Sequence, residues 1–113
     1  MKAGYFPEAG DFVWLTFDPQ AGHEQAGRRP ALVLSPGVYN AKSGLAVVCP
    51  VTNQAKGYPF EVPVPSGREA TGVILADQLR SVDWKARRAE KLAHCPTETL
   101  EEVRARLAPL LGY

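Results

Sequence analysis

Four side chains that can move protons or hold an anion lie close together in one segment of this 113-residue sequence, residues 18–30. They are His23, Glu24, Arg28 and Arg29. The segment begins with Asp-Pro, contains two glycines and ends at a proline, so we expect it to form neither helix nor strand. Connections of this length are uncommon in compact domains and usually either have a function or are disordered. The concentration of charge therefore indicates a functional site.

Glu24 and Arg29 are the pair best suited to cutting a phosphodiester bond of RNA. Attack by the neighbouring 2′-hydroxyl needs a base, positive charge for the phosphorane, and a proton for the departing 5′-oxygen. A carboxylate with a raised pKa can be the base, and acid–base assistance of this kind typically accelerates a reaction about 100- to 10,000-fold. A guanidinium stays charged and fits phosphate oxygens in pairs, so Arg29 suits clamping and stabilisation. The alternative is that these two residues are solvated loop charges that form a weak surface ion pair, which stabilises the fold by at most about 1 kcal/mol.

Further candidates lie next to this segment or at the ends of predicted strands. His23 is a rival base by its intrinsic pKa, although a lone loop histidine is more often exposed and idle. Thr52 stands where a strand leaves the core, so its hydroxyl can either bond a phosphate oxygen or cap a turn. Phe17 ends its strand, and its ring can either stack on a base or close the core.

A second group of residues mixes charge with aromatic rings, as a groove for single-stranded nucleic acid requires. Lys56, Tyr58 and Phe60 alternate with Gly and Pro, although we interpret Phe60 as a core residue rimmed by Tyr58. Pockets that read bases depend on loop shape, here the loops around 37–40, 54–58 and 78–79. The sequence motif of any RNA target is therefore not predicted.

The elements that must position these residues are mostly short strands. Apolar or alternating runs predict strands at 12–17, 31–34, 45–49, 60–65, 73–76 and 89–93. Pro63 and Pro65 cannot donate to a ladder, so the strand over 60–65 is expected at a sheet edge. Trp14 and Trp84 are interpreted as core residues, and Cys49 as a small buried hydrophobe.

The C-terminal segment changes to a helical period. Leu100, Val103 and Leu107 recur on one apolar stripe, Thr99 with the glutamate three residues on resembles a capping box, and Gly112 is a stop signal. Short strands followed by an amphipathic helix predict a mainly-β fold with one or two helices, a small SH3-like β-barrel with the C-terminal helix packed on its flank.

Composition is that of a globular protein, with 45% hydrophobic and 22% charged residues, and predicts one domain over residues 1–113. No apolar run approaches the roughly 18 residues that a membrane span needs, and the N-terminus lacks a signal peptide's apolar middle. Cys49 and Cys95 form no CxxC pair, so we expect both to be reduced, in the cytoplasm.

A formal net charge of +1 gives no general attraction to nucleic acid, but the charges are unevenly distributed. Residues 25–60 contain four basic and no acidic side chains, and residues 80–91 form a second basic run. This distribution suits an anionic partner on one face, although scattered solvated charge remains the alternative.

No metal or cofactor site is predicted. Of the histidines and cysteines, only His94 and Cys95 are close in sequence, and adjacent residues on a strand point to opposite faces. The sequence also lacks a Gly-rich phosphate loop and a nucleotide-binding fingerprint. Any chemistry must therefore use acid–base groups and fixed positive charge.

Taken together, these segments resemble the MazF/PemK family of bacterial toxin endoribonucleases. The resemblance covers residues 10 to about 85, and the order and spacing of its pieces are more specific than any single motif. It is carried by residues 10–14, 17–19, 22–31, 34–36, 39–40, 50–54, 56–60, 72–73 and 75–81.

The resemblance implies an SH3-like barrel that works as a homodimer. It implies sequence-specific cleavage of single-stranded RNA, chiefly messenger RNA, without ribosomes or metal, leaving a 2′,3′-cyclic phosphate and a 5′-hydroxyl. A MazE-like antitoxin is expected to block the site by laying an extended acidic tail over the dimer. No membrane is expected as a partner, nor is DNA for the toxin alone.

The resemblance also implies roles for single residues. The family's catalytic glutamate and arginine fall on Glu24 and Arg29, and its threonine falls on Thr52. The RNA-binding residues expected beside them are Phe17, Arg28, Gln54, Lys56, Tyr58 and Gln78. Two departures leave roles open, because Arg28 makes an Arg-Arg pair and His23 stands where many relatives have a small polar residue.

Two other functions remain alternatives. CcdB toxins, which poison gyrase, share this type of barrel but depend on a tryptophan close to the C-terminus, whereas Trp84 is well inside this chain. The other alternative is a passive binder of single-stranded RNA, whose loop only grips phosphate.

Overall fold

A computed structural model describes residues 4–17, 27–65 and 70–113. The described chain contains seven strands, two α-helices and a short 3-10 turn at Ala76–Gln78. The strands are β1 (Asp11–Phe17), β2 (Gly27–Val33), β3 (Leu45–Thr52), β4 (Glu61–Pro63), β5 (Val73–Leu75), β6 (Arg80–Asp83) and β7 (Glu90–His94). The helices are α1 (Gly37–Ser43) and α2 (Thr97–Leu111).

All strand pairs are antiparallel, in the order β4-β5-β3-β2-β1-β7, with β6 added beside β3. β3 pairs with β2 on one side and, on the other, first with β6 and then with β5. β4 ends this order, so its Pro63 lies on an edge strand, as predicted. The expected mainly-β, SH3-like architecture with a C-terminal helix is confirmed.

The sheet is covered on both faces, which explains the continuous apolar runs of its central strands. On one face Phe12, Leu32 and Ile74 pack with Val103 and Leu107 of α2. The opposite face carries the second cluster, which contains Val13, Leu15, Phe17, Ala31, Val33 and Trp84. Neighbouring residues of β1 and β2 thus serve different clusters, as strand alternation requires.

Helix α2 packs on the flank of the sheet through the predicted stripe, but it begins earlier than the sequence suggested. The helix starts at Thr97 after Pro96, and Thr99 is a buried residue inside it. The predicted capping box at Thr99 is therefore wrong, because the chain enters the helix from a proline instead. Gly112 adopts φ of +88° and its N–H donates to the Ala108 carbonyl, which confirms the stop.

Four local features of the structure differ from the sequence predictions. Residues 27–30, expected to be irregular, form the first half of β2, because β1 supplies cross-strand partners as far as Phe17. Helix α1 and strand β6 were not predicted, and β6 buries only Val82. The prediction that Trp14 is a core residue is wrong, because 37% of its surface is exposed. Trp84 is buried, as expected.

Both cysteines are buried and free, which agrees with the expectation that they form no disulfide. None of the helices in the described ranges combines the length and apolar character required to cross a bilayer.

Candidate active-site groove

Three adjoining cavities along the ends of β2 and β3 form one groove. The first, of about 280 Å³, is lined by Arg29 and Thr52 among others. The second, of about 240 Å³, shares Thr52 with the first, and the third, of about 420 Å³, shares Asp77 and Gln78 with the second. Every sequence-predicted site residue that the structure describes therefore lines this groove.

The groove floor, which we define as Arg29 and Thr52, is built on two neighbouring strands. Arg29 lies on β2 opposite Leu15 of β1, and Thr52 is the last residue of β3. Thr52 is only 5% exposed, and its hydroxyl accepts a hydrogen bond from the Gln54 amide at 3.1 Å. The hydroxyl thus caps the turn after β3, which is one of the two roles considered for it, and its bond to a phosphate oxygen stays a prediction.

Gly72 is required for this arrangement of the floor. It adopts φ of +105°, and a Cβ at this position would collide with the carbonyl oxygen of Thr52. Only glycine combines this left-handed backbone with such a close approach. The spacing between β5 and the end of β3 therefore depends on the absence of a side chain here.

The predicted base Glu24 and its rival His23 lie outside the described residues. The segment that contains them connects Phe17 to Gly27, and these two residues pair directly across β1 and β2. Phe17 and Gly27 are themselves described, and Gly27 lies two residues before Arg29 on β2. Both assignments remain predictions.

Arg28 borders the same cavity, but its guanidinium is engaged by the protein. It donates to the Thr16 hydroxyl at 3.1 Å and forms an ion pair with Glu90 at 2.6 Å. Alternation places Arg28 and Arg29 on opposite faces of β2. The two neighbouring arginines thus have different surroundings, and an RNA contact by Arg28 stays a prediction.

The loop wall, residues 53–60, carries Gln54, Lys56 and Tyr58 along the second cavity, with Gln78 opposite. Tyr58 is 59% exposed, so its ring is available to stack on a base. Phe60 is half-buried and packs on the core, as predicted.

Glu61 holds this loop wall, a role that the sequence analysis missed. Its two carboxylate oxygens accept hydrogen bonds from the backbone amides of Lys56 and Gly57, each at 2.9 Å. From the other side, the Arg106 guanidinium of α2 donates to the Pro59 carbonyl. The sequence signal for this role was a glutamate a few residues after Gly57, close enough to accept hydrogen bonds from the backbone of the turn.

Phe17 lies between the second core cluster and the third cavity. Its ring is 1% exposed, and the guanidinium carbon of Arg80 is 5.6 Å from the ring centroid, the geometry of a cation–π contact. Here the ring closes the core, and it presents little surface to a base. Stacking on RNA stays a prediction.

Trp14 is a second residue that the sequence interpretation missed. It pairs with Pro30 and lines the first cavity with the groove floor. It stands on the face of β1 opposite to Val13 and Leu15, and this alternation was the available signal. A large exposed aromatic beside fixed charge suits contact with bases.

The thiol closest to the groove is not a nucleophile. Burial raises the pKa of Cys49 to about 12, helped by the charge of Asp77. Such a thiol stays protonated and unreactive near neutral pH. Within residues 4–17, 27–65 and 70–113, no three His, Cys, Asp or Glu side chains are grouped to hold a metal ion.

The arrangement suits an extended anionic ligand that carries aromatic groups. A guanidinium and a hydroxyl at the floor can bind phosphate oxygens, and exposed Lys56 and Tyr58 can hold the chain that leads to them. Fixed positive charge on rigid strands is what stabilisation of a developing phosphorane needs.

Comparison with known proteins agrees with this geometry. Residues 8–111 match the family described as "PemK-like, MazF-like toxin of type II toxin-antitoxin system". The chain is 50% identical to "Endoribonuclease toxin MazF" of Escherichia coli K12 over 112 residues, 99% of this chain and 100% of that protein.

Solved structures give the same result. The crystal structure of MazF from Deinococcus radiodurans is 60% identical, with a TM-score of 0.93 over 96% of this chain and 99% of that one. A MazE–MazF crystal structure from the same organism is 61% identical, with a TM-score of 0.87 over 96% of this chain and 97% of that one. The chain therefore belongs to the PemK-like, MazF-like toxins of type II toxin–antitoxin systems.

Proposed function

We propose that this protein is an endoribonuclease toxin that cuts single-stranded messenger RNA at short sequence motifs and thereby stops translation. The observation that carries the proposal is the groove in which Arg29 and Thr52 adjoin the cavity lined by Lys56 and Tyr58. Curated relatives named endoribonucleases, at 50% identity over the whole chain, support it.

In the proposed mechanism the substrate supplies its own nucleophile. Glu24 takes the proton of the 2′-hydroxyl, which attacks the adjacent phosphorus, while Arg29 and Thr52 bond the phosphate oxygens as negative charge develops. The P–O5′ bond breaks and the departing 5′-oxygen takes up a proton, which leaves a 2′,3′-cyclic phosphate and a 5′-hydroxyl. The reaction uses no metal and no cofactor.

The proposed partners are a second copy of the chain and a MazE-like antitoxin that covers the groove. Relatives solved as MazE–MazF complexes support the antitoxin. The proposed compartment is the cytoplasm, where messenger RNA is available.

The test is incubation of purified protein with a single-stranded RNA of mixed sequence in EDTA, followed by analysis of the ends. Discrete cuts with cyclic phosphate ends are expected for the wild type, abolished in Arg29→Ala and strongly reduced in Glu24→Ala. Arg104→Ala, an exposed arginine on α2, is the matched control and should cut normally. RNA that stays intact but bound would instead favour a passive binder.

A 2′-deoxy substitution tests the chemistry itself. An RNA whose cleavage site carries a single 2′-deoxyribose should resist cutting at that site only. Cutting at an undiminished rate would exclude attack by the 2′-hydroxyl.

A further inference from the structure

The ends of β1 and β2 nearest the groove form a ribbon of only two strands. The pairing of β2 with β3 covers Ala31–Val33, and the pairing of β1 with β7 stops at Trp14. Residues 15–17 pair with residues 27–29 across this ribbon. A two-stranded ribbon is marginally stable on its own. Contacts from outside the ribbon therefore stabilise the strand that carries Arg29.

The turn between β6 and β7, residues 84–89, packs against the ribbon. The Thr16 amide donates to the Arg87 carbonyl at 3.1 Å, and the Arg87 guanidinium donates to the Thr16 carbonyl at 2.9 Å. The turn is anchored in the core, because Trp84 is 2% exposed and its indole donates to the Asn40 carbonyl at 2.9 Å. It is therefore a firm support for the ribbon.

Arg28 connects the other strand of the ribbon to the same turn. Its Nη1 donates to the Thr16 hydroxyl at 3.1 Å and to the Arg87 carbonyl at 3.4 Å. Its Nη2 donates to the Arg88 carbonyl at 2.7 Å and to the Glu90 carboxylate at 2.6 Å. Both terminal nitrogens are thus bonded within the protein.

We propose that Arg28 is a positioning residue, whose guanidinium ties the ribbon to the β6–β7 turn and thereby holds the adjacent Arg29 in the groove. The inference rests on the proposed function and replaces the expectation that Arg28 contacts RNA. The physical reason is orientation, since small displacements of a catalytic group cost large factors in rate. The Arg28 guanidinium is engaged by four hydrogen bonds within the protein, so it is not available to replace that of Arg29.

Salt dependence distinguishes positioning from a phosphate contact. Each phosphate contact of a cation with a single strand contributes about 0.7 to the slope of log binding constant against log salt concentration. A positioning residue contributes to kcat and leaves this slope unchanged. A change at Glu90 also distinguishes the two roles. Removal of its carboxylate would make the Arg28 guanidinium more available to a phosphate, but it would weaken the connection between the ribbon and the β6–β7 turn.

The experiment compares wild type, Arg28→Ala, Arg28→Lys, Glu90→Ala and the control Arg104→Ala for kcat, KM and the salt slope of RNA binding. We expect Arg28→Ala to lower kcat about tenfold or more, with KM and salt slope unchanged. Glu90→Ala should lower kcat less, because it removes one of four contacts. A kcat near that of wild type in Arg28→Ala, or a slope reduced by about 0.7, would overturn the proposal. So would tighter RNA binding with undiminished kcat in Glu90→Ala.

Amide hydrogen exchange gives a readout that does not need RNA. Loss of the tie should speed exchange at Thr16 in Arg28→Ala and Glu90→Ala, while Leu32 in the fully paired part of β2 keeps its rate. Unchanged exchange at Thr16 would contradict the tie even if cleavage fell. If the wild type left RNA intact, the proposed function would fail while exchange still reported on the tie. Should Arg28→Ala fail to fold, Arg28→Lys and Glu90→Ala carry the same test.

Discussion

The groove floor and the loop wall of this protein are held in different ways. Arg29 and Thr52 lie on strands whose other residues contribute to the two apolar clusters, and Thr52 is almost fully buried. In the loop wall Lys56 and Tyr58 are exposed, and the backbone is fixed mainly by the Glu61 carboxylate. Under the proposed function, the groups that do the chemistry would lie on rigid strands, and the groups that recognise RNA would lie on a loop that a few hydrogen bonds define.

The largest effect should come from a conservative change at the floor. Arg29→Lys keeps the positive charge but loses the planar donors that fit two phosphate oxygens, so kcat should fall about 100-fold with KM changed less than about threefold. Steady-state cleavage of a short RNA measures both constants, and Arg104→Lys is the matched control. Activity of Arg29→Lys within about threefold of wild type would show that charge alone suffices.

Two glycine substitutions compare the packing of the two regions directly. Gly57 in the loop wall and Gly72 beside the floor both have positive φ, but only at Gly72 would a Cβ meet the backbone of Thr52. Gly57→Ala should cost about 1 kcal/mol of unfolding free energy from backbone strain, and Gly72→Ala about 3 kcal/mol because the collision adds to it. Urea unfolding measures both. Equal losses would mean that the floor is no more tightly packed than the wall.

Glu61→Gln tests whether the carboxylate shapes the loop wall. An amide has only one oxygen, so one of the two backbone amides loses its acceptor, and KM should rise about fivefold with kcat nearly constant. Removal of a negative charge from an RNA groove would by itself lower KM, so the sign of the change separates the two effects. Glu101→Gln on exposed α2 is the control. A lower KM in Glu61→Gln would contradict the structural role.

The smallest effect concerns Cys49, beneath the groove. Burial raises its pKa from the ordinary 9.0 to about 12, so between these values the unfolded chain binds fewer protons than the folded one. The stability that Cys49 contributes is therefore complete below pH 9 and is lost as pH rises toward 12. The difference in unfolding free energy between wild type and Cys49→Ala, measured by urea unfolding, should decrease by about 1 kcal/mol between pH 8 and pH 10. Parallel pH profiles would show that the thiol is not shielded from water.

Much of the fold was predictable because its strands are short apolar runs between prolines and glycines. The predictions failed where tertiary contacts outweigh local sequence. Gly27 to Pro30 looked irregular, yet pairing with β1 makes these residues a strand. Trp14 looked like core, yet at its position the face of β1 is open to the cavity.

The sequence by itself determined the chemical inventory: an acid, adjacent arginines, a threonine at a strand end, and aromatic rings among basic residues. It also determined the helical stripe of α2, which follows from periodicity, and the buried central strands, which follow from short apolar runs. Only the tertiary structure decided that Arg28, one of the two adjacent arginines, is hydrogen-bonded to a distant turn. That choice depends on partners about 60 residues away, the carbonyls of Arg87 and Arg88, which no local pattern encodes.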